Sequence, residues 1–160
     1  KEMHLSNGRI EELSVAALLH DVGKIGIDEN ILHKPGPLTV EERAVIQKHP
    51  EISVNILKDV KLSPMVFDII LHHHERYDGK GYPDGLKGEE IPIAAQVVSV
   101  ADVYDALTSE RVYKKAVPHE KVLEMILHGE CGQFNPILIE CLQEISSRIR
   151  SECYDEEQET

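Results

Sequence analysis

The sequence predicts an all-α fold of six to seven helices, and three observations carry that prediction. Apolar residues recur at helical spacing through most of the chain, as in Val66, Phe67, Ile69 and Ile70 or Ala94, Val97, Val98 and Ala101. Helix-start residues stand directly ahead of those runs at Thr39, Ser63, Pro118 and Asn135. No segment requires a strand.

Taken in order, Ile10, Leu13 and Val15 to Leu19 make a strongly buried helix that runs up to His20 and Asp21, with Gly23 ending it. Thr39 and Glu42 form a capping-box pattern for a helix that stops near His49, because Pro50 opens the next one, spanning 51–60. Ser63 and Pro64 begin a helix that ends around His73 and His74. From Arg76 to Pro92 four glycines and two prolines are too dense for helix or strand, so this segment reads as a long ordered loop. Helix returns over 93–109 with Asp102 in its middle. Pro118 and Gly129 bracket another helix, and Asn135 with Pro136 starts the last.

At 160 residues the chain can bury one sizeable core, so a single domain over 1–150 with an acidic, frayed tail over 151–160 is expected. A net charge of -12 argues against holding DNA through many neutralised phosphates. A small anionic substrate fits nonetheless, because bound metal ions reverse the local field. Cys131, Cys141 and Cys153 lie far apart without a Cys-x-x-Cys pair, which points to a reducing cytoplasm and away from a disulfide framework. The longest apolar stretch, around Ile91 to Val100, is interrupted by Pro92, Gln96 and Ser99 and is too short for membrane insertion. A start at Lys1 reads as an excised piece of a longer protein.

Chemistry concentrates on a few side chains. His20-Asp21 alone suits a capping pair as well as a metal-binding pair. Its company changes that reading: His49, His73 and His74 fall at predicted helix ends, and Asp102 sits on an apolar helix face where an unpaired charge is costly. This nitrogen and oxygen set, free of thiolate, suits iron, manganese, nickel or zinc. His72 is expected to face elsewhere, His4, His33, His119 and His128 to be solvated or capping, and Glu75 to orient an imidazole or stay solvated.

Read together, LLHDVGKIGI, KHPEIS, LHHHERYDGKGYPDGLKGEEIP, ADVYDALTSERVYKK and GQFNP resemble the HD-GYP branch of the HD-domain metal phosphohydrolases. The resemblance covers nearly the whole ordered length, in family order. It implies a single HD-type helical bundle with a long GYP loop, holding two or three divalent ions. His20, Asp21, His49, His73, His74 and Asp102 are then the metal ligands, with Asp21 bridging, and Lys24 meets the scissile phosphate or its attacking water. Gly81, Tyr82 and Pro83 form the signature triplet, with Tyr82 a candidate for stacking on substrate or for pinning the loop. Arg111 and Lys114 grip the dinucleotide beyond the metals.

The implied reaction is hydrolysis of cyclic di-GMP to pGpG, GMP or both by a metal-activated water. The implied partners are GGDEF-domain proteins and an upstream sensory or receiver domain. Relatives carry a further helix ahead of the His-Asp helix that supplies a Glu and a His. Glu2, His4, Glu11 and Glu12 do not fit that spacing, so one metal site is expected to be incomplete within these residues. A cut inside the domain is the preferred reason, since every other ligand position is intact. Asn135 stands where relatives usually have Asp, a change that Asn tolerates as an N-cap. Two alternatives accompany the enzyme reading: a catalytically inactive module that binds a nucleotide or GGDEF-type partner, and an HD-type phosphohydrolase for another nucleotide.

Overall fold

The computed structural model describes residues 5–110 and 115–154. The described residues are helical throughout, with loops and no strand, in agreement with the all-α prediction. They group into two compact units, Leu5–Ser99 and Val100 onward.

In the first unit, α1 (Asn7–Leu19) starts at Ser6, whose Oγ accepts from Arg9 N at 3.4 Å. The helix ends with its apolar run at Leu19, directly before His20 and Asp21, as expected. His20 caps it, and Gly23 lies inside a separate 3-10 helix, Val22–Gly26, rather than terminating α1. Nor is α1 strongly buried: Ala16 is fully enclosed, whereas Leu18 is 84% exposed. Leu13, Ala16 and Leu19, spaced by three, form the stripe packed into the core. The other apolar residues of the run point off that stripe because a continuous run wraps around a helix.

After the one-turn α2 (Glu29–Leu32), α3 (Val40–Ile46) shows the anticipated capping box. Thr39 Oγ1 accepts from Glu42 N at 3.2 Å and Glu42 Oε2 accepts from Thr39 N at 2.7 Å. Lys34 Nζ donates to the same carboxylate at 2.6 Å. Thr39→Ala is expected to cost about 1 kcal/mol, read as a lower urea midpoint at unchanged slope. An unchanged midpoint would mean the box contributes nothing net.

α4 (His49–Leu57) begins with His49 itself, so this residue opens a helix instead of closing the preceding one. Pro50 sits in the first turn, where its missing N–H costs no hydrogen bond. His49, Ser53 and Leu57, each one turn apart, are buried. α5 (Pro64–His72) contributes Val66, Ile69 and Ile70 to a core shared with Ala16, Leu57 and Val98. Ser63 holds the N-cap backbone conformation, yet its side chain makes no capping bond.

The loop that follows contains a short 3-10 turn, Gly88–Glu90, before α6 (Ile93–Thr108). In the second unit, α7 (His119–Leu127) and α8 (Pro136–Tyr154) follow the later turns of α6. Pro118 and Gly129, whose φ of 71° suits glycine, flank α7 as expected. Asn135 Oδ1 accepts from Ile137 N at 3.0 Å, the cap its sequence position suggested. α8 runs to Tyr154, into the stretch anticipated as tail. His119 is buried, 5% exposed, with its Nδ1 2.6 Å from the Tyr104 hydroxyl, and is therefore neither solvated nor a cap. No helix among the described residues is long and apolar enough to cross a membrane.

Candidate metal centre

Four of the residues singled out from sequence meet in the first unit. Asp21, His49, His73 and His74 each offer one ligand atom, and those atoms lie within 4.8 Å of one another. The fold brings them from three places: the link after α1, the first residue of α4, and the C-terminal end of α5. Backbone packing sets the approach of the first two. A Cβ on Gly23 would overlap His49 O and stand 2.6 Å from Ser53 N, so only a glycine lets the Val22–Gly26 turn press against α4. Ser53, which sequence reasoning passed over, ties the same junction by accepting from Gly23 N at 2.7 Å and donating to His20 O at 3.0 Å.

The imidazoles are oriented through their second nitrogens. His49 Nδ1 lies 2.8 Å from Ile46 O, and His73 Nδ1 lies 2.9 Å from Ile70 O. A carbonyl can only accept, so each Nδ1 carries the hydrogen and each Nε2, when neutral, presents a lone pair. Those two Nε2 atoms face one another at 3.3 Å, and His49 Nε2 is 3.2 Å from Asp21 Oδ1. Electron-rich atoms held this close call for positive charge among them. One proton on His49 would serve a single contact, whereas a divalent ion serves the set. Burial, together with the neighbouring His74, His20 and His49, pushes His73 down to about 3, so His73 is neutral and able to ligate.

Asp21 is ionised. Burial opposes its charge, but the adjoining His49 ring, the hydrogen bond from Lys24 and the positive field of Lys24 and His20 outweigh that and hold it well below the ordinary carboxylate range. Lys24 Nζ sits 2.5 Å from Asp21 Oδ2, on the partly open side of the cluster. The donor set therefore fits a hard or borderline divalent cation, with no sulfur and one anionic oxygen among three imidazoles.

His20 lies beside the four without joining their convergence. Its Nε2 is 3.5 Å from Asp21 Oδ2, and its ring centroid is 4.8 Å from that of His73. Asp102 is carried by α6 within the second unit. Arg111 and Lys114 lie outside the described residues. His72 turns away, as anticipated, with Nε2 3.0 Å from Asp84 Oδ2 and Nδ1 3.0 Å from Asp68 O.

The GYP loop folds back onto the end of α5. Tyr82 N donates to His74 O at 3.2 Å, and the Tyr82 ring stacks on that of His74 at 4.8 Å with an interplanar angle of 28°. Gly81 lies against the backbone of Glu75 and Arg76, so close that a Cβ there would overlap Arg76 N. The Tyr82–Pro83 peptide is cis. Glu75 is neither solvated nor seen bonding an imidazole: it is 4% exposed, and its Oε1 accepts from Asp84 N at 2.7 Å and Gly85 N at 3.0 Å.

A family model described as HD domain matches residues 1–135. A protein of Vibrio cholerae named cyclic di-GMP phosphodiesterase is 42% identical over 152 residues, covering 91% of this chain and 31% of its own. One of Pseudomonas aeruginosa with the same activity in its name is 45% identical over 137 residues, covering 85% and 33%. A third, of Vibrio cholerae, is named 3'3'-cGAMP-specific phosphodiesterase 2 and is 41% identical, covering 88% and 27%. The chain thus spans about a third of the length of these relatives. In fold it is similar to the crystal structure of a cyclic GMP-AMP phosphodiesterase of Vibrio cholerae, with a TM-score of 0.70 at 21% identity over 99% of this chain and 44% of that one.

Proposed function

The chain belongs to the HD domain family, and on that premise we propose that it is a metal-dependent phosphodiesterase of the HD-GYP type that hydrolyses cyclic di-GMP to pGpG, GMP or both. The observation that carries the reading is the convergence of Asp21, His49, His73 and His74 within 4.8 Å, with the Nε2 atoms of His49 and His73 3.3 Å apart. The names of relatives near 40% identity support the substrate class.

Asp21, His49, His73 and His74 would hold the ions, with His20 beside them as a further ligand. Two or three ions of iron, manganese, nickel or zinc are proposed. When bound they supply Lewis-acid charge to the phosphate and lower the pKa of water. The chain's own residues bind and orient. Lys24, fixed by Asp21, offers an ammonium toward a phosphate oxygen, a compact charge that suits a non-bridging oxygen. Arg111 and Lys114 serve the rest of the dinucleotide. Cytoplasmic signalling, with GGDEF-domain proteins and an upstream sensory or receiver domain as partners, completes the proposal.

Incubation of the purified protein, loaded anaerobically with Mn²⁺ or Fe²⁺, with cyclic di-GMP is expected to yield pGpG, resolved by reversed-phase chromatography. Absence of turnover with every metal tried would overturn the proposal. Because one similar protein is named for 3'3'-cGAMP, that dinucleotide belongs in the same assay, and faster cleavage of it would reassign the substrate.

A further inference from the structure

Glu75 stands out as a buried acid that is not one of the four converging ligands. Its Oε1 takes both backbone amides of Asp84 and Gly85, while its Oε2 is buried without a hydrogen-bond partner among the described residues. Burying a carboxyl group for two amide bonds does little for stability alone. What the two bonds do achieve is geometric. Asp84 and Gly85 follow directly on Tyr82 and Pro83, so holding them fixes the far end of the segment that carries the Tyr82 ring.

Three other contacts join the same two strips of chain. Tyr82 N donates to His74 O at 3.2 Å, Gly81 packs on the Glu75 and Arg76 backbone, and Asp84 Oδ2 is 3.0 Å from His72 Nε2. His72, His74 and Glu75 therefore clasp residues 81–85 from the end of α5. The product of the clasp is the Tyr82 ring lying nearly parallel to the His74 imidazole at 4.8 Å.

We propose that Glu75 is a positioning residue for the metal centre: by holding the Asp84 and Gly85 amides it seats Tyr82 against His74 and fixes the plane in which that imidazole meets the ion. Glu75 thus acts on the centre without being a ligand, through a backbone loop and an aromatic face. The inference rests on the metal-centre reading above.

Co²⁺ titration of the whole chain, followed by its visible absorption bands, tests it together with urea unfolding of the metal-free protein. Glu75→Ala and Tyr82→Ala are each expected to raise the Co²⁺ Kd about 10- to 100-fold and to change the band shape, as loss of a ligand's support does. Glu75→Gln keeps an acceptor oxygen for the two amides and Tyr82→Phe keeps the stacked face, so both should bind within about threefold of the parent. Because the two residues act in series, the Glu75→Ala/Tyr82→Ala double variant should bind no more weakly than the worse single one, well short of the sum of their losses. Parental binding by Glu75→Ala, or losses that add fully in the double variant, would overturn the inference while leaving the metal centre intact. A parent chain that binds no Co²⁺ would overturn the metal-centre reading, and this inference with it.

Discussion

Asp21→Ala is expected to abolish both metal loading and phosphodiester hydrolysis while leaving the helical content of the protein unchanged. Asp21 is the only carboxylate among the four converging side chains, and three imidazoles alone are a much weaker trap for a divalent cation. Loss of groups that merely support a ligand costs about 10- to 100-fold in affinity, so removal of the carboxylate itself should exceed about 100-fold. The fold has little reason to follow. Asp21 precedes the Val22–Gly26 turn without making a side-chain cap bond, and its side chain is 34% exposed. Mn²⁺ affinity by calorimetry, pGpG formation and far-ultraviolet circular dichroism separate the two effects. Parental Mn²⁺ affinity in Asp21→Ala would reduce the residue to an ion-pair partner of Lys24.

Which parts of this site are readable in the chain follows from how local their determinants are. The Thr39 and Glu42 box lies within one turn of sequence, so its pattern and its geometry coincide. His73 and His74 stand at the end of a run whose apolar stripe, Val66, Ile69 and Ile70, fixes both the helix and its burial. His49 was legible as a metal-type side chain but not as the opening residue of α4, because proline is compatible with either the first or the second residue of a helix. The continuous apolar run of α1 suggested burial on every face, and only packing against α5 selects Leu13, Ala16 and Leu19.

Contacts between distant residues left no periodic trace. Ser53 meets Gly23 across thirty positions, and His119 meets Tyr104 across fifteen. A serine on a buried helix stripe and a histidine in the first turn of a helix read as ordinary residues until the partner element is in place. Glu75 is the sharpest case. Beside a histidine pair, a glutamate suggests an imidazole acceptor, whereas the glycines of the loop bring two backbone amides to it instead.

Gly23→Ala carries the other large expected effect, and it arises from one of these non-local contacts. The backbone at Gly23 does not lie in the left-handed region, so alanine meets no conformational barrier there and the cost is steric. The added Cβ would overlap His49 O and lie 2.6 Å from both Ser53 N and Ser53 Oγ. Backbone atoms of α4 cannot swing aside as a flexible side chain can, so the Val22–Gly26 turn must lift from the helix. Overpacking of this kind costs about 3 kcal/mol, which for a chain of this size lowers Tm by roughly 6–12 °C. The same displacement separates Asp21 from His49, so divalent-metal affinity should fall along with stability.

Gly8→Ala supplies the contrast. Gly8 lies in α1, and a Cβ at that position would have nothing within 4 Å, so alanine there should raise stability by about 0.4–1 kcal/mol. Adding Ser53→Ala to Gly23→Ala removes only the hydroxyl contact and leaves His49 O and Ser53 N in place. The double variant should therefore recover neither Tm nor metal affinity. If it recovers both, the obstruction is the serine side chain alone, and the backbone approach of the turn to α4 is looser than these distances require.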